Sequence, residues 1–305
     1  MDNSYLARLK KDLKKNKSMY FLAIPMILFY VCFCYKPMYG ALIAFFDYRP
    51  AKEMWECDFL GVENYVRFFQ SPYFFRTLRN TLLLSVGNLL LGFPAPIILA
   101  LMLNEVKNIR FKKLAQTFTY LPHFISLVVI CGIINQFSLS NGIFNDIIEF
   151  WGGEREALLQ NPDYFRPIYI LSDIWQQVGW GSIIYLAALS SVDTQLYEAA
   201  KIDGAGKWKQ TMHVTLPGIL PTIMVQLILR MGSLMNLGYE KVLNLYNPAI
   251  YETSDIISTY TYRVGIGQQD WSYSTAIGLF NSVINCILLV VANKLSKKAT
   301  DNSLW

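Results

Sequence analysis

The stretch of this chain best suited to a chemical task is Asp193-Thr194-Gln195-Leu196-Tyr197-Glu198-Ala199-Ala200-Lys201-Ile202-Asp203-Gly204-Ala205-Gly206-Lys207-Trp208-Lys209-Gln210. It runs on through Leu216, Pro217 and Pro221. Its residue types suit docking rather than bond-making. Asp193 or Thr194 can cap a short helix by accepting from the free N–H groups at its start. Leu196, Ala199 and Ala200 share one face, where alanine lets another surface approach closely. Gly204 and Gly206, after Asp203, tolerate positive φ and end a helix. Lys207, Trp208 and Lys209 then open a basic amphipathic segment that climbs to Pro217. Such a helix–break–helix serves either as a docking knob for a partner or as an ordinary interfacial helix, and composition alone supports both.

The constellations of catalysis are missing. There is no Gly-x4-Gly-Lys-Ser/Thr loop to cradle phosphates, since Gly206-Lys207 is followed by Trp208 and lacks the earlier glycine. The chain is therefore not expected to hydrolyse ATP by itself. His123 and His213 stand far apart in sequence, and a satisfied structural role is the simplest for each. No serine sits in a Gly-x-Ser-x-Gly setting. Of the five cysteines, Cys32, Cys34, Cys131 and Cys286 fall in apolar runs and Cys57 in a loop. Cys32-Phe33-Cys34 lacks zinc spacing, so these read as small buried hydrophobes. The expectation is a chain that is no enzyme and binds no metal or cofactor of its own.

The elements that position the loop are membrane spans. Hydrophobic residues make up 53% of the 305 residues and charged residues only 16%, against roughly 25% charged in a soluble domain. Crossing the hydrocarbon core takes about 20 apolar residues. Six stretches qualify: 20–46, 81–103, 114–137, 167–189, 216–237 and 275–292. They are continuous apolar runs rather than alternating ones, which excludes a β-barrel. The first is too long for a signal core and lacks an Ala-x-Ala site, so it is expected to remain as an anchor. The fold class is thus all-α, a polytopic integral membrane protein with about six transmembrane helices. Residues 1–19 form a basic N-terminus, 20–296 the six-helix domain with the loop 193–217, and 297–305 the C-terminus.

Orientation follows from Lys and Arg. Arg8, Lys10, Lys11, Lys14, Lys15 and Lys17 crowd the N-terminus beside an apolar run, which favours a membrane anchor over nucleic-acid binding. With that end inside, Lys107, Arg110, Lys112, Lys113, Lys201, Lys207, Lys209, Lys294, Lys297 and Lys298 are inside too. The outside segments hold Arg49, Lys52, Arg67, Arg76, Arg79, Arg155, Arg166, Lys241 and Arg263, spread over longer loops. Both termini are therefore expected in the cytoplasm.

Polar side chains within the spans mark a candidate substrate path: Asn135, Gln136, Trp175, Gln176, Gln177, Asn236, Asn281 and Asn285. Each amide serves equally as interhelical glue, worth roughly 1 kcal/mol. Arg230 is an isolated charge in span five and must face the bundle, a water-filled cavity or a paired carboxylate.

The pattern Glu198-Ala199-Ala200, Asp203-Gly204-Ala205, Leu216-Pro217 and Pro221 resembles the EAA loop of binding-protein-dependent ABC importer permeases. Phe46-Asp47-Tyr48-Arg49-Pro50, Gly92-Phe93-Pro94-Ala95-Pro96, Tyr120-Leu121-Pro122-His123-Phe124, Gly179-Trp180-Gly181-Ser182 and Leu245-Tyr246-Asn247-Pro248 are similar to the oligosaccharide and polysaccharide branch. One departure is Met212, where many relatives carry an aromatic. The resemblance implies a type I ABC importer permease in a bacterial plasma membrane, with Tyr197, Glu198, Ala199, Ala200, Asp203, Gly204, Ala205, Gly206, Leu216 and Pro217 contacting or bracing the ATPase. It also implies a second, homologous permease, two ATPase subunits that bind ATP and Mg, an extracellular solute-binding lipoprotein and an oligosaccharide cargo. One rival is an ion-coupled secondary transporter, which needs an intramembrane carboxylate, and the span cores are read as holding none. The other is a receptor or scaffold that docks without transport.

Overall fold

A computed structural model of the chain describes residues 12, 15–300 and 303–304, so Arg8, Lys10, Lys11 and Lys14 lie outside the described residues. Twelve helices organise the described part. They are α1 (Lys17–Phe45), α2 (Glu63–Gln70), α3 (Phe74–Glu105), α4 (Ile109–Phe124) and α5 (Leu127–Phe137). There follow α6 (Ile143–Phe150), α7 (Pro162–Ser190), α8 (Thr194–Ile202) and α9 (Lys207–Gly232), and then α10 (Tyr239–Leu245), α11 (Ile257–Tyr262) and α12 (Trp271–Thr300). Only an isolated antiparallel bridge, Phe46 to Phe59, interrupts the all-helical pattern among the described residues.

The count of spans needs correcting. Four helices, α1, α3, α9 and α12, are each long and apolar enough to cross a membrane. The expected continuous third span is broken. α4 ends in a tight 3-10 turn at Leu121–Phe124 around Pro122, Ser126 caps the start of α5, and the two halves bend by 99°. The expected fourth span is α7, whose 29 residues reach roughly 44 Å. It carries Asp163, Arg166 and Asp173, the composition of a helix surrounded by neighbours rather than lipid. Asp173 also corrects the expectation that the span cores hold no carboxylate.

α7 is the central post, packed against α3, α4, α9 and the Tyr251–Ser254 turn. Asn161 accepts from the Asp163 N–H at 3.0 Å, and Pro162 presets the first turn. Its two glycines face different neighbours, because residues two apart on a helix point about 200° apart. A Cβ on Gly179 would collide with the Thr119 carbonyl of α4, and one on Gly181 would press on Pro96 of α3. The glycines thus permit two backbone-close crossings.

Three apolar clusters fill the bundle. One joins Ile130, Ile134, Phe165, Tyr169, Val242 and Leu245 of α5, α7 and α10. A second packs Phe68, Phe74, Tyr260, Tyr273 and Ile277. A third joins Ala100, Tyr185, Leu189 and Ile219 near the α8 end. The first part of α1 stands apart, with none of its residues from Lys17 to Met38 buried, whereas its last turns, Tyr39–Phe45, pack against α12.

The long helices carry π-helical turns at Tyr30–Tyr35, Asn88–Gly92 and Thr211–Thr215, each just ahead of a proline: Pro37, Pro94 and Pro217. Proline leaves the carbonyl four residues earlier without its N–H, and a wider turn lets the ladder shift there instead of breaking.

Candidate functional site

At one end of the bundle lies the loop between α7 and α9. Asp193 caps α8, accepting from the Gln195 N–H at 2.9 Å. The helix then closes in a complete Schellman motif: the Gly204 N–H donates to the Lys201 carbonyl at 3.1 Å and the Ala205 N–H to the Ala200 carbonyl at 2.9 Å. Gly204 supplies the turn with φ +75°. Gly206 does not share that role, since its φ is −68° and it starts α9 instead.

Glu198, Ala199, Asp203, Gly204 and Gly206 are exposed, while Ala200, Ala205 and Leu216 are half-buried. Ile202 and Leu196 also project outward, so α8 presents an apolar and acidic surface that the chain itself leaves uncovered. Internal contacts hold the loop's inner side. The Tyr197 hydroxyl donates to Thr215 Oγ1 at 3.0 Å, and Gln210 Nε2 donates to the Ala205 carbonyl at 2.7 Å. Lys207 pairs with Glu105 at 2.8 Å, tying the start of α9 to the end of α3. Exposed Pro217 follows the π-turn and opens the straight run of α9. Val192 lies against Gly218, where a Cβ would come within 2.9 Å.

The other feature is an intramembrane cavity in two communicating lobes of about 400 and 730 Å³. Asn88, Asp173, Gln177, Arg230 and Ser233 line both lobes. Gln176 and Asn236 line the first and Gln226 and Trp180 the second. Of the predicted path residues, Gln176, Gln177, Arg230 and Asn236 are therefore brought together. Asn281 and Asn285 act from behind: Asn281 Nδ2 donates to Asn236 Oδ1 at 2.8 Å, and Asn285 Oδ1 accepts from the Met235 N–H at 2.9 Å. Three others do not join. Trp175 turns to the outer face of α7, Gln136 is exposed on α5, and Asn135 donates to the Asn244 carbonyl at 3.2 Å.

The cavity includes residues beyond the predicted set. Lys241, expected among outside loop cations, is 3% exposed, because α10 folds into the bundle against α5. Its ammonium lies 3.4 Å from Asp173 Oδ1 and 5.1 Å from the Tyr169 ring centroid. Asn88 Nδ2 completes the cradle, donating to Asp173 Oδ2 at 2.8 Å. His123 stacks on Trp180 with centroids 4.5 Å apart and planes 3° from parallel, and its Nδ1 is 3.0 Å from Gln177 Oε1. A charge inside an apolar run was the signal for Asp173. Nothing local marked Lys241.

The end opposite the loop is closed by a buried carboxylate. Asp255 is fully buried and takes Arg76 Nη2 at 2.8 Å and Arg263 through two nitrogens at 2.8 and 3.1 Å. Burial works against the Arg263 charge, but the hydrogen bonds and charge of Asp255 outweigh it, so its pKa lies above the ordinary guanidinium value. Asn80 on α3 donates to the Asp255 and Glu252 carbonyls and accepts from Arg166 of α7. This network locks α3, α7 and the segment before α11 together. Among the described residues no cluster of His, Cys, Asp or Glu is arranged to hold a metal ion.

Residues 92–300, spanning the loop and most of the cavity wall, match the family described as "Binding-protein-dependent transport system inner membrane component". The chain belongs to that family. This inner membrane component is 45% identical to Protein LplB of Bacillus subtilis (strain 168), over 99% of its own length and 94% of the relative's. It is 43% identical to the polygalacturonan/rhamnogalacturonan transport system permease protein YteP of the same organism, over 98% and 93%. Among solved structures it resembles a chain of a bacterial alginate ABC transporter in complex with alginate pentasaccharide-bound periplasmic protein. The TM-score there is 0.89 at 42% identity, covering 97% of this chain and 100% of the other. The component is thus a membrane protein of the binding-protein-dependent transport type.

Proposed function

We propose that this chain is the permease subunit of an ATP-driven importer that passes oligosaccharides from an extracellular solute-binding protein to the cytoplasm. Its partners are a second homologous permease, which completes the pathway, and two ATPase subunits that bind ATP and Mg. Both termini and the loop 193–217 lie on the cytoplasmic side, and α7 serves as a span shielded by its neighbours. The uncovered face of α8, with Glu198, Ala199 and Asp203 outward, docks on the ATPase.

One observation carries the reading: a single helix joins the loop to the cavity. α9 is tied to α8 through Thr215 and presents Arg230 to the cavity, 15 residues or roughly 22 Å further along its axis. Displacing its base displaces the cavity wall, because a continuous helix transmits motion with little compliance. Asp173 would have to carry an ion-coupled alternative, yet its two oxygens are already held by Lys241 and Asn88.

The test is purification of the tagged chain from its native membrane, followed by uptake in liposomes. Recovery of an ATPase, a second permease and a binding protein is expected, with uptake that requires ATP and persists when an ionophore collapses the ion gradients. Uptake driven by an ion gradient without ATP would overturn the proposal. So would Gly204→Trp leaving ATPase recovery and uptake intact.

A further inference from the structure

The intramembrane cavity carries one positive charge more than it neutralises. Its charged lining groups are Asp173, Lys241 and Arg230. Asp173 and Lys241 compensate each other across 3.4 Å, and Asn88 satisfies the second Asp173 oxygen. The Arg230 guanidinium has no ion pair and no side-chain hydrogen bond among the described residues, and it borders both lobes. Arg230 is exposed to the cavity space rather than packed among side chains, so an anion or water there meets its charge. Its position in the last turn of α9 offsets the helix dipole, but this leaves a full charge still directed at the cavity.

The surrounding groups suit a sugar. Gln226, one turn before Arg230 on the same helix, and Gln177 across the cavity offer amides to hydroxyls. Trp180, stacked with His123, offers ring surface to a pyranose. A guanidinium binds carboxylate with two parallel N–H···O bonds, a geometry that neutral hydroxyls do not reproduce. We propose that Arg230 reads a carboxylate on the passing sugar, so that the cargo is a uronate-bearing oligosaccharide. This rests on the reading of the chain as an oligosaccharide permease.

The complete importer, with its ATPases, second permease and binding protein, is reconstituted in liposomes. Uptake is measured for trigalacturonate and for the same trimer after carboxyl reduction, both at concentrations that saturate the binding protein. The wild type is expected to favour the acid. Arg230→Gln should lower uptake of the acid about tenfold, the scale of one charge-assisted contact, while changing the neutral trimer less than about twofold. Arg230→Lys, which keeps the charge without the fork, should fall between. Assembly of each variant is checked by size-exclusion chromatography. Equal losses for both sugars, unchanged uptake of the acid, or a wild type that carries the neutral trimer equally well would overturn the assignment while leaving the permease reading standing. A wild type that imports neither sugar would overturn that reading and the assignment with it.

Discussion

The Tyr197 hydroxyl sits 3.0 Å from Thr215 Oγ1 and joins α8 to the base of α9 with one hydrogen bond. Side chains 18 residues apart thereby bridge the two arms of the loop, across the Schellman turn at Gly204. Tyr197→Phe removes the bridge and little else. Sugar imported per ATP hydrolysed should fall about fivefold, from the loss of roughly 1 kcal/mol of constraint. ATPase recovery on the purified complex should be unchanged. A variant with wild-type stoichiometry would show that the hydroxyl does not link the two helices functionally.

Gly204 and Gly206 separate cleanly. Gly204 has positive φ with open space around its Cα, so alanine there meets only the backbone penalty of the left-handed region, about 1 kcal/mol. Gly206 lies at ordinary φ and is equally uncrowded. Gly204→Ala should lower the melting temperature of the isolated permease measurably, and Gly206→Ala should not.

Breaking the cavity's ion pair should be worse than removing it. Lys241→Met strands the Asp173 carboxylate beside Asn88 and should cost about 3 kcal/mol. Adding Asp173→Asn should recover most of that loss, a coupling that a double-mutant cycle on thermal or denaturant unfolding reads directly. Additive losses would show that the two groups do not interact.

Asp255→Asn should destabilise the opposite end by a similar amount. It leaves Arg76 and Arg263 facing each other without their shared counter-charge. Limited proteolysis of the segment around Tyr251–Ser254 should quicken in the variant, because that carboxylate and its backbone hold the segment to α3.

The loop was legible in the sequence because its determinants are local. Asp193 caps its own helix and Gly204 supplies its own turn, so neither depends on residues far away. The cavity was only half legible. Trp175 and Gln176 are adjacent in one apolar run, and a helix turn of about 100° puts one outside and the other on the cavity wall. Composition does not set that phase; packing against α3 and α4 does. Lys241 escaped because α10 is a seven-residue helix, too short to be read as a span, and only its packing on α5 reveals it as interior. Asp173 was visible as a charge in an apolar run, yet its meaning depends on Lys241, 68 residues away. The third span misled because Pro122 and the Ser126 cap divide an otherwise continuous apolar run.

The π-turn at Thr211–Thr215 has a consequence for how the gene tolerates change. A wide turn of this kind holds one residue more than the regular ladder would, and it stands between α8 and the Leu216–Gly232 run of α9. It therefore fixes the angular phase between the two ends of the helix. A codon lost within it would only return the ladder to a regular α-helix, whereas removing a single codon from the regular ladder between Leu216 and Gln226 would leave composition, hydropathy and length almost untouched. It would nevertheless rotate Gln226 and Arg230 together by about 100° relative to Tyr197 and carry them off the cavity wall. Reading frame in the genetic sense would be preserved, while the mechanical register between the two faces of the membrane would be lost.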